Sequence, residues 1–286
     1  MAVSGEDPVA IRSVPRAWFG SDLKPRVAAA VAMGSLALAT VWIGGFVFAV
    51  FWWLASIVLL WEWQRLIGRA RLAERVAVGG LMVALAALSA LHNSILGVVA
   101  VLILGAVAVG WLARQSEGIW AAAGALYAGA LVASVVLLRI SPSFGLAAIL
   151  WLFAVVWGTD IAAYFAGRLI GGPRLWPSVS PGKTWAGAIV GALAGAVLGL
   201  LLAAWTNHLA ALFWLGLTTA IVSELGDLFE SALKRRFGVK DSSGLIPGHG
   251  GLMDRLDAFV AASVFAAVAA GLNSRGSFIG GGLFQW

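Results

Sequence analysis

Residues 27 to 61 pass without one charged side chain, about twice the roughly 20 residues a helix needs to cross the hydrocarbon core of a bilayer. A run of that kind has no stable place on a water-facing surface. Gly44 and Gly45 are the natural turn within it, giving two tightly connected helices. Seven further apolar runs follow, at Val76–Leu91, Ser94–Leu112, Gly118–Leu138, Gly145–Ala166, Ala186–Trp205, Leu209–Ser223 and Leu256–Leu272. The pattern predicts an all-α, polytopic integral membrane protein of about nine transmembrane helices, eight being the other count it allows. Charged residues make up 11% of the chain, against about 25% in a soluble domain, and the mean hydropathy is +0.95.

The absence of cysteine excludes disulfides, thiolate catalysis and cysteine-held metal sites. The net charge of +6 does not imply a nucleic-acid partner, because basic residues in a membrane protein mark cytoplasmic loops and contacts with anionic headgroups. Residues 1–26 are polar, lack the features of a signal peptide and read as a cytoplasmic lead-in. With that end inside, the cytoplasmic loops hold Arg65 to Arg75, Arg114, Arg168 to Lys183 and Lys234 to Lys240, while the opposite loops hold only Arg139 and the surroundings of His92 and His208. The chain divides into the lead-in, N-terminal transmembrane helices over 27–138, a C-terminal transmembrane catalytic region over 139–272, and a tail over 273–286 expected to be flexible up to Trp286. The glycines of Gly191 to Gly199 suit close helix packing.

Polar chemistry concentrates in one window. Of 13 acidic residues, six (Glu224, Asp227, Glu230, Asp241, Asp254 and Asp257) fall between Ser223 and Phe259, and charged groups gathered in an apolar chain mark a functional site. On a helix over 224–236, Asp227, Ser231 and Lys234 share a face, and Gly238 is the expected C-cap residue. The loop KDSSGLIPGHGG has backbone N–H groups able to turn towards an anion. Asp254 and Asp257, three apart on the next helix, suggest oxygen ligands for Mg²⁺ opposite that nest. Glu230 and Lys234 also suit a plain i, i+4 pair worth a few tenths of a kcal/mol, and Arg236 suits an interfacial anchor. Asp160 lies in an apolar run, where an ionised carboxylate costs at least ~2.5 kcal/mol; it needs a metal, water or a cation, including a structural partner on another span. The segment SPGKT is not a Walker A loop, since Pro177 stands where the first glycine is required. A lysine and a threonine at the mouth of a helix can still hold a phosphate.

The combination Ser231, Lys234, Arg235, Lys240, Asp241, Pro247, His249, Gly250, Gly251, Asp254, Arg255 and Asp257 resembles, with every spacing kept, the hallmark of the phosphatidate cytidylyltransferases, or CDP-diacylglycerol synthases. GDLFES, WGTDIAAYFAGR and SPGKTWAG extend the resemblance over roughly the C-terminal half. It implies the reaction of CTP with phosphatidate to give CDP-diacylglycerol and pyrophosphate, in a bacterial-type inner membrane with the N-terminus and the site facing the cytoplasm. It further implies catalytic roles for Asp227, Lys234, Asp254 and Arg255, and ligation of Mg²⁺, with room for a second cation, by Asp160, Asp227, Asp254 and Asp257. Nucleotide or phosphate contacts are implied for Ser180, Lys183, Thr184, Ser231, Arg235, Lys240, Asp241, His249, Gly250 and Gly251, and a homodimer by analogy. The chain departs from the family pattern at Gly182 and Ala186, where a lysine and a glutamate are common. The rival readings are an ion-coupled secondary transporter and a related transferase acting on another lipid phosphate.

Overall fold

The computed structural model describes residues 23–113, 117–246, 250–274 and 278–286. Among them are nine α-helices: α1 Leu23–Ile43, α2 Gly45–Ile67, α3 Leu72–Leu91, α4 Ile95–Leu112, α5 Gly118–Arg139, α6 Gly145–Leu169, α7 Trp185–Leu202, α8 Leu209–Arg236 and α9 Met253–Asn273. Eight of them, α2 to α9, are long and apolar enough to cross a membrane, and α1 contributes the shorter apolar stretch Val31–Ile43. The expected turn is where the sequence places it, with Gly44 at φ +70° between α1 and α2. Arg139 closes the same corner by donating from Nε to the Val41 carbonyl at 2.8 Å.

The core forms around α5, whose Leu131, Val132, Val135, Val136 and Leu138 are fully buried. Its neighbours are tied to it by polar links. Trp63 Nε1 and Gln64 Nε2 of α2 donate to the carbonyls of Trp120 and Ala121 at 2.8 and 2.9 Å, and Ser134 Oγ meets Ser263 Oγ of α9 at 2.9 Å. Trp52 stacks on Phe259 at 5.0 Å between centroids, with Phe153 beside it at 5.2 Å, so α2, α6 and α9 share one aromatic core.

The second packing unit is α6 against α7. Gly187, Gly191, Gly195 and Gly199 recur every four residues on one face of α7, and a Cβ on any of them would press into α6: 2.8 Å from the Ala163 carbonyl at Gly187, 2.9 Å from those of Thr159 and Val155 at Gly191 and Gly195, and 2.9 Å from Trp151 Nε1 at Gly199. The stripe is therefore spent inside the protomer and is not open for pairing between copies. Gly195→Ala is expected to lower stability by about 1–3 kcal/mol, read as a lower unfolding midpoint in detergent, whereas Gly244→Ala, with open space around its Cβ position, should leave the midpoint unchanged.

Two features differ from expectation. A short antiparallel hairpin interrupts the helices between α6 and α7: β1 (Arg174–Trp176) pairs with β2 (Ser180–Thr184), Arg174 opposite Thr184 and Trp176 opposite Ser180. Gly171 and Gly172, at φ +68° and +96°, end α6, and Pro173, Pro177 and Pro181 deny the segment a helix. The C-terminal tail, expected to be flexible, is instead packed over its described residues 278–286. Its 3₁₀ helix Ile279–Leu283 is buried against α9 and α5, and Phe284 meets Trp205 and Phe144 at 5.4 and 5.9 Å. Gly280 and Gly282 permit this, since a Cβ at either would run into the carbonyls of Leu138 or Ala270.

The connections α2–α3, α4–α5, α6–α7 and α8–α9 come together at one end of the bundle. Arg69, Arg71, Arg174, Lys183 and Lys240 are on that end, as the charge pattern requires; Arg114 lies outside the described residues. Helix α8 has 28 residues, about 42 Å at 1.5 Å per residue, against a hydrocarbon thickness of roughly 30 Å. Its last turns, with Lys234, Arg235 and Arg236, extend past the apolar core.

Candidate active site

A cavity of about 870 Å³ opens among α6, the hairpin, α7, α8 and α9 at the basic end. It is walled by acids and bases together: Asp160, Tyr164 and Arg168 from α6, Arg174, Lys183 and Thr184 from the hairpin, Glu224 and Asp227 from α8, and Asp254, Arg255 and Asp257 from α9. The two motif regions, far apart in sequence, thus face one space. Asp160 is exposed to it, which answers how an acid is tolerated in that apolar run.

Each polar group is placed by its own local structure. Thr184 is the N-cap of α7, its Oγ1 accepting from Gly187 N at 3.1 Å; this turns the chain and leaves Lys183 just outside the helix, facing α8. Lys183 Nζ lies 2.7 Å from Asp227 Oδ2, with both side chains nearly 30% exposed, at 28% and 29%. Ser231 Oγ donates to Asp227 Oδ1 at 3.3 Å, one turn further along α8. Asp257 stands three residues after Asp254 on α9, and its Oδ1 accepts from Ala258 N at 2.8 Å.

Asp254 is tied more tightly. Its Oδ1 takes Lys234 Nζ at 2.7 Å, and its Oδ2 accepts from Gly251 N at 2.7 Å and from Ser242 N and Oγ at 3.0 Å each. Lys234 Nζ also lies 2.7 Å from Glu230 Oε2, whose side chain is wholly buried. The Glu230–Lys234 pair is therefore no solvated helix-surface pair, as the spacing alone suggested, but two members of a buried triad with Asp254. Lys234 sits behind the cavity wall rather than on it.

The glycine-rich loop also differs from the expected phosphate nest. The N–H groups of Gly251, Leu252 and Met253 are already donated, the first to Asp254 and the other two to Glu62 of α2 at 2.9 and 2.6 Å. Gly250, at φ +82°, would put a Cβ 2.7 Å from Asp254 Oδ2, and Gly251 would drive one into Ser242 Oγ and Glu62 Oε1. Both glycines serve the close approach of backbone to the protein's own carboxylates. Arg235 is exposed and donates to the Val239 carbonyl at 3.3 Å, Arg236 lies 4.8 Å over the Trp120 ring as an anchor, and Ser180 is paired in the hairpin. Lys240 and Asp241 are exposed at the start of the loop, and His249 lies outside the described residues.

Two residues entered the site that sequence reasoning did not assign. Glu224 lines the cavity one turn before Asp227, and its Oε1 is buried without a hydrogen-bond partner. Glu62 comes from the N-terminal half; its one sequence signal is that it is the first acid after a long charge-free run.

Would these residues suit Mg²⁺? Asp160, Glu224, Asp227 and Asp257 bring carboxylate oxygens to one cavity, and Lys183 touches Asp227 alone among them by an ion pair in the described residues. The donor chemistry fits a hard cation. Among the described residues no three such groups are arranged to hold an ion by themselves. That also suits Mg²⁺, which is held by one or two carboxylates with substrate phosphates and water completing its shell.

Comparison with known proteins agrees with this geometry and widens its reach. A phosphatidate cytidylyltransferase of Brucella suis is 41% identical over 248 residues, covering 85% of this chain and 91% of that protein. Those of Haemophilus influenzae and Bacillus subtilis are 43% and 40% identical over 146 and 139 residues, about half of each chain: 47% and 48% of this one, 51% and 52% of theirs. The similarity is not confined to the C-terminal half, since the family model spans residues 24–272, and with them Glu62, the hairpin and every wall of the cavity. The chain belongs to the cytidylyltransferase family.

Proposed function

We propose that the protein is a phosphatidate cytidylyltransferase, joining CTP and phosphatidate into CDP-diacylglycerol with release of pyrophosphate. The observation that carries this reading is the cavity itself, where Lys183, Arg168, Arg174 and Arg255 stand among Asp160, Glu224, Asp227 and Asp257 at the basic end of a membrane bundle. Transport of a solute needs no such mixture; two polyanionic reactants do.

The nucleophile is a phosphate oxygen of the lipid, already anionic at neutral pH, so no general base is required. It attacks the α-phosphorus of CTP, the bond to the β-phosphate oxygen breaks, and pyrophosphate leaves with the electron pair. What the protein must do is hold two anions in line and offset their charge. Lys183 and Arg255, from different walls, bind phosphate oxygens. Lys183 is presently held by Asp227 and changes partner to do so. Asp160, Asp227 and Asp257 would hold Mg²⁺, which supplies charge neutralisation and polarises the phosphoryl oxygens. Asp254 holds the loop and Lys234 in place. The lipid's acyl chains stay in the bilayer beside α6 and α7, whose outer faces carry exposed Ile161, Phe165, Ile189 and Leu193.

The excess of basic residues at the cavity end supports a cytoplasm-facing site in a bacterial inner membrane. A homodimer, the expectation by family analogy, uses a face other than the glycine stripe of α7. Pyrophosphate release by purified protein in detergent tests the reading. Release is expected only with CTP, Mg²⁺ and phosphatidate together. Release with another lipid phosphate in place of phosphatidate changes the substrate, and none with any lipid phosphate removes the proposal.

A further inference from the structure

A carboxylate from the opposite half of the chain holds the catalytic segment. Glu62, on the last turns of α2, is completely buried. Its Oε1 accepts from Ser243 Oγ at 2.5 Å and Leu252 N at 2.9 Å, and its Oε2 from Ser242 Oγ at 3.2 Å and Met253 N at 2.6 Å. Each oxygen takes one hydroxyl and one backbone N–H, and all four donors belong to the loop or the first turn of α9. The next residues are Asp254, Arg255 and Asp257, all on the cavity wall.

The physical logic is that of a helix cap supplied across the fold. The first N–H groups of a helix have no partner within it, and the positive end of the helix dipole favours an anion. Local side chains normally fill that role; here Asp254 takes the Gly251 N–H and Glu62 takes the next two. The single hydroxyl proton of Ser242 is shared between both carboxylates, with Oγ 3.2 Å from Glu62 and 3.0 Å from Asp254. Nothing larger than glycine fits at 251 between them. The orientation of the α9 residues in the cavity is thereby referred to α2, a helix with no residue lining it.

We propose that Glu62 is a positioning residue for the reaction: it touches no reactant, but sets the register and direction of the α9 N-terminus that carries Asp254, Arg255 and Asp257. The inference rests on reading the cavity as the cytidylyl-transfer site. It gives the N-terminal half of the chain a part in catalysis.

Glu62→Gln is the discriminating substitution. Glutamine keeps the size but presents one acceptor oxygen and an NH₂ group. A serine hydroxyl can reverse and accept from that NH₂, whereas the Leu252 or Met253 N–H left facing it cannot. The full-length variant is compared with the parent in detergent by two measurements: hydrogen exchange of peptides covering 250–256, and steady-state kinetics per folded molecule. Exchange over 250–256 is expected to speed up while peptides of α6 and α7 are unchanged. Turnover is expected to fall roughly 10- to 100-fold, as for displaced catalytic groups, with the loss in kcat rather than in the KM for CTP. Ser243→Ala, which removes one donor without adding an unmatched amide, should move both readouts the same way by less and serves if Glu62→Gln does not fold. Unchanged exchange over 250–256, or a kcat per folded molecule equal to the parent's, overturns the proposal. Faster exchange in a protein whose parent turns over no lipid phosphate supports the hold on α9 and overturns the cytidylyl reading instead.

Discussion

Lys234→Met is expected to be the most damaging single substitution in the polar network, lowering stability by about 3–5 kcal/mol. Lys234 is the cation between two carboxylates, Glu230 and Asp254, at 2.7 Å from each, and the three side chains are only 12%, 0% and 6% exposed. Removing it leaves two acids side by side out of water, where a charge without a partner is far costlier than the pair was favourable. Thermal unfolding in detergent measures the loss. A second substitution separates the triad from general damage: adding Glu230→Gln removes one of the two stranded charges, so the double variant should unfold at a higher temperature than Lys234→Met alone. A double variant that is additive or worse would show that the triad is not the source of the effect. Lys234→Arg should not substitute, because a broad planar guanidinium does not reproduce the compact ammonium that sits 2.7 Å from each of two carboxylates.

The second large effect is on turnover rather than on folding. Lys183 and Asp227 meet at the same 2.7 Å as the triad, yet they are 28% and 29% exposed in a cavity, where an ion pair is worth about 0–1 kcal/mol. Asp227→Asn is therefore expected to leave the unfolding midpoint within a degree or two of the parent's, by about that energy, while activity falls on the order of 10²-fold or more. It should also change the Mg²⁺ concentration that gives half-maximal rate. A variant with normal turnover and an unaltered Mg²⁺ requirement would remove Asp227 from the metal set. Lys183→Ala tests the other partner: the CTP requirement should rise, since the lysine proposed to bind phosphate is gone. Two ion pairs of equal length thus separate by burial alone into one that holds the fold and one that is poised for exchange.

Much of the architecture was legible beforehand because the bilayer makes it so. Apolar runs of about 20 residues, Gly44 at the first turn, and Gly238 after α8 each follow from a local rule, length against thickness or positive φ against side chains. The motif residues likewise pointed to one site, and Asp160, Lys183, Asp227, Asp254, Arg255 and Asp257 do line one cavity. The packed tail was not legible, because Gly280, Gly281 and Gly282 read as loop unless the carbonyls they fit against are known. Nor was the difference between Asp254, whose oxygens are both engaged by the protein, and Asp257, which faces the same cavity three residues on.

By itself, then, the sequence determined that this chain crosses a membrane many times, which end carries the positive charge, and which residue types gather for phosphate chemistry, since all three depend on composition and spacing along the chain. Only the tertiary structure decided which charges are buried and which are available. Whether Lys234 is enclosed while Lys183 is open, whether the loop's N–H groups wait for a phosphate or already hold Glu62, and which half of the chain steers α9 depend on what packs beside each group. Neighbours 180 to 191 residues away in sequence supply that, and hydrogen bonding and desolvation respond to distance in space.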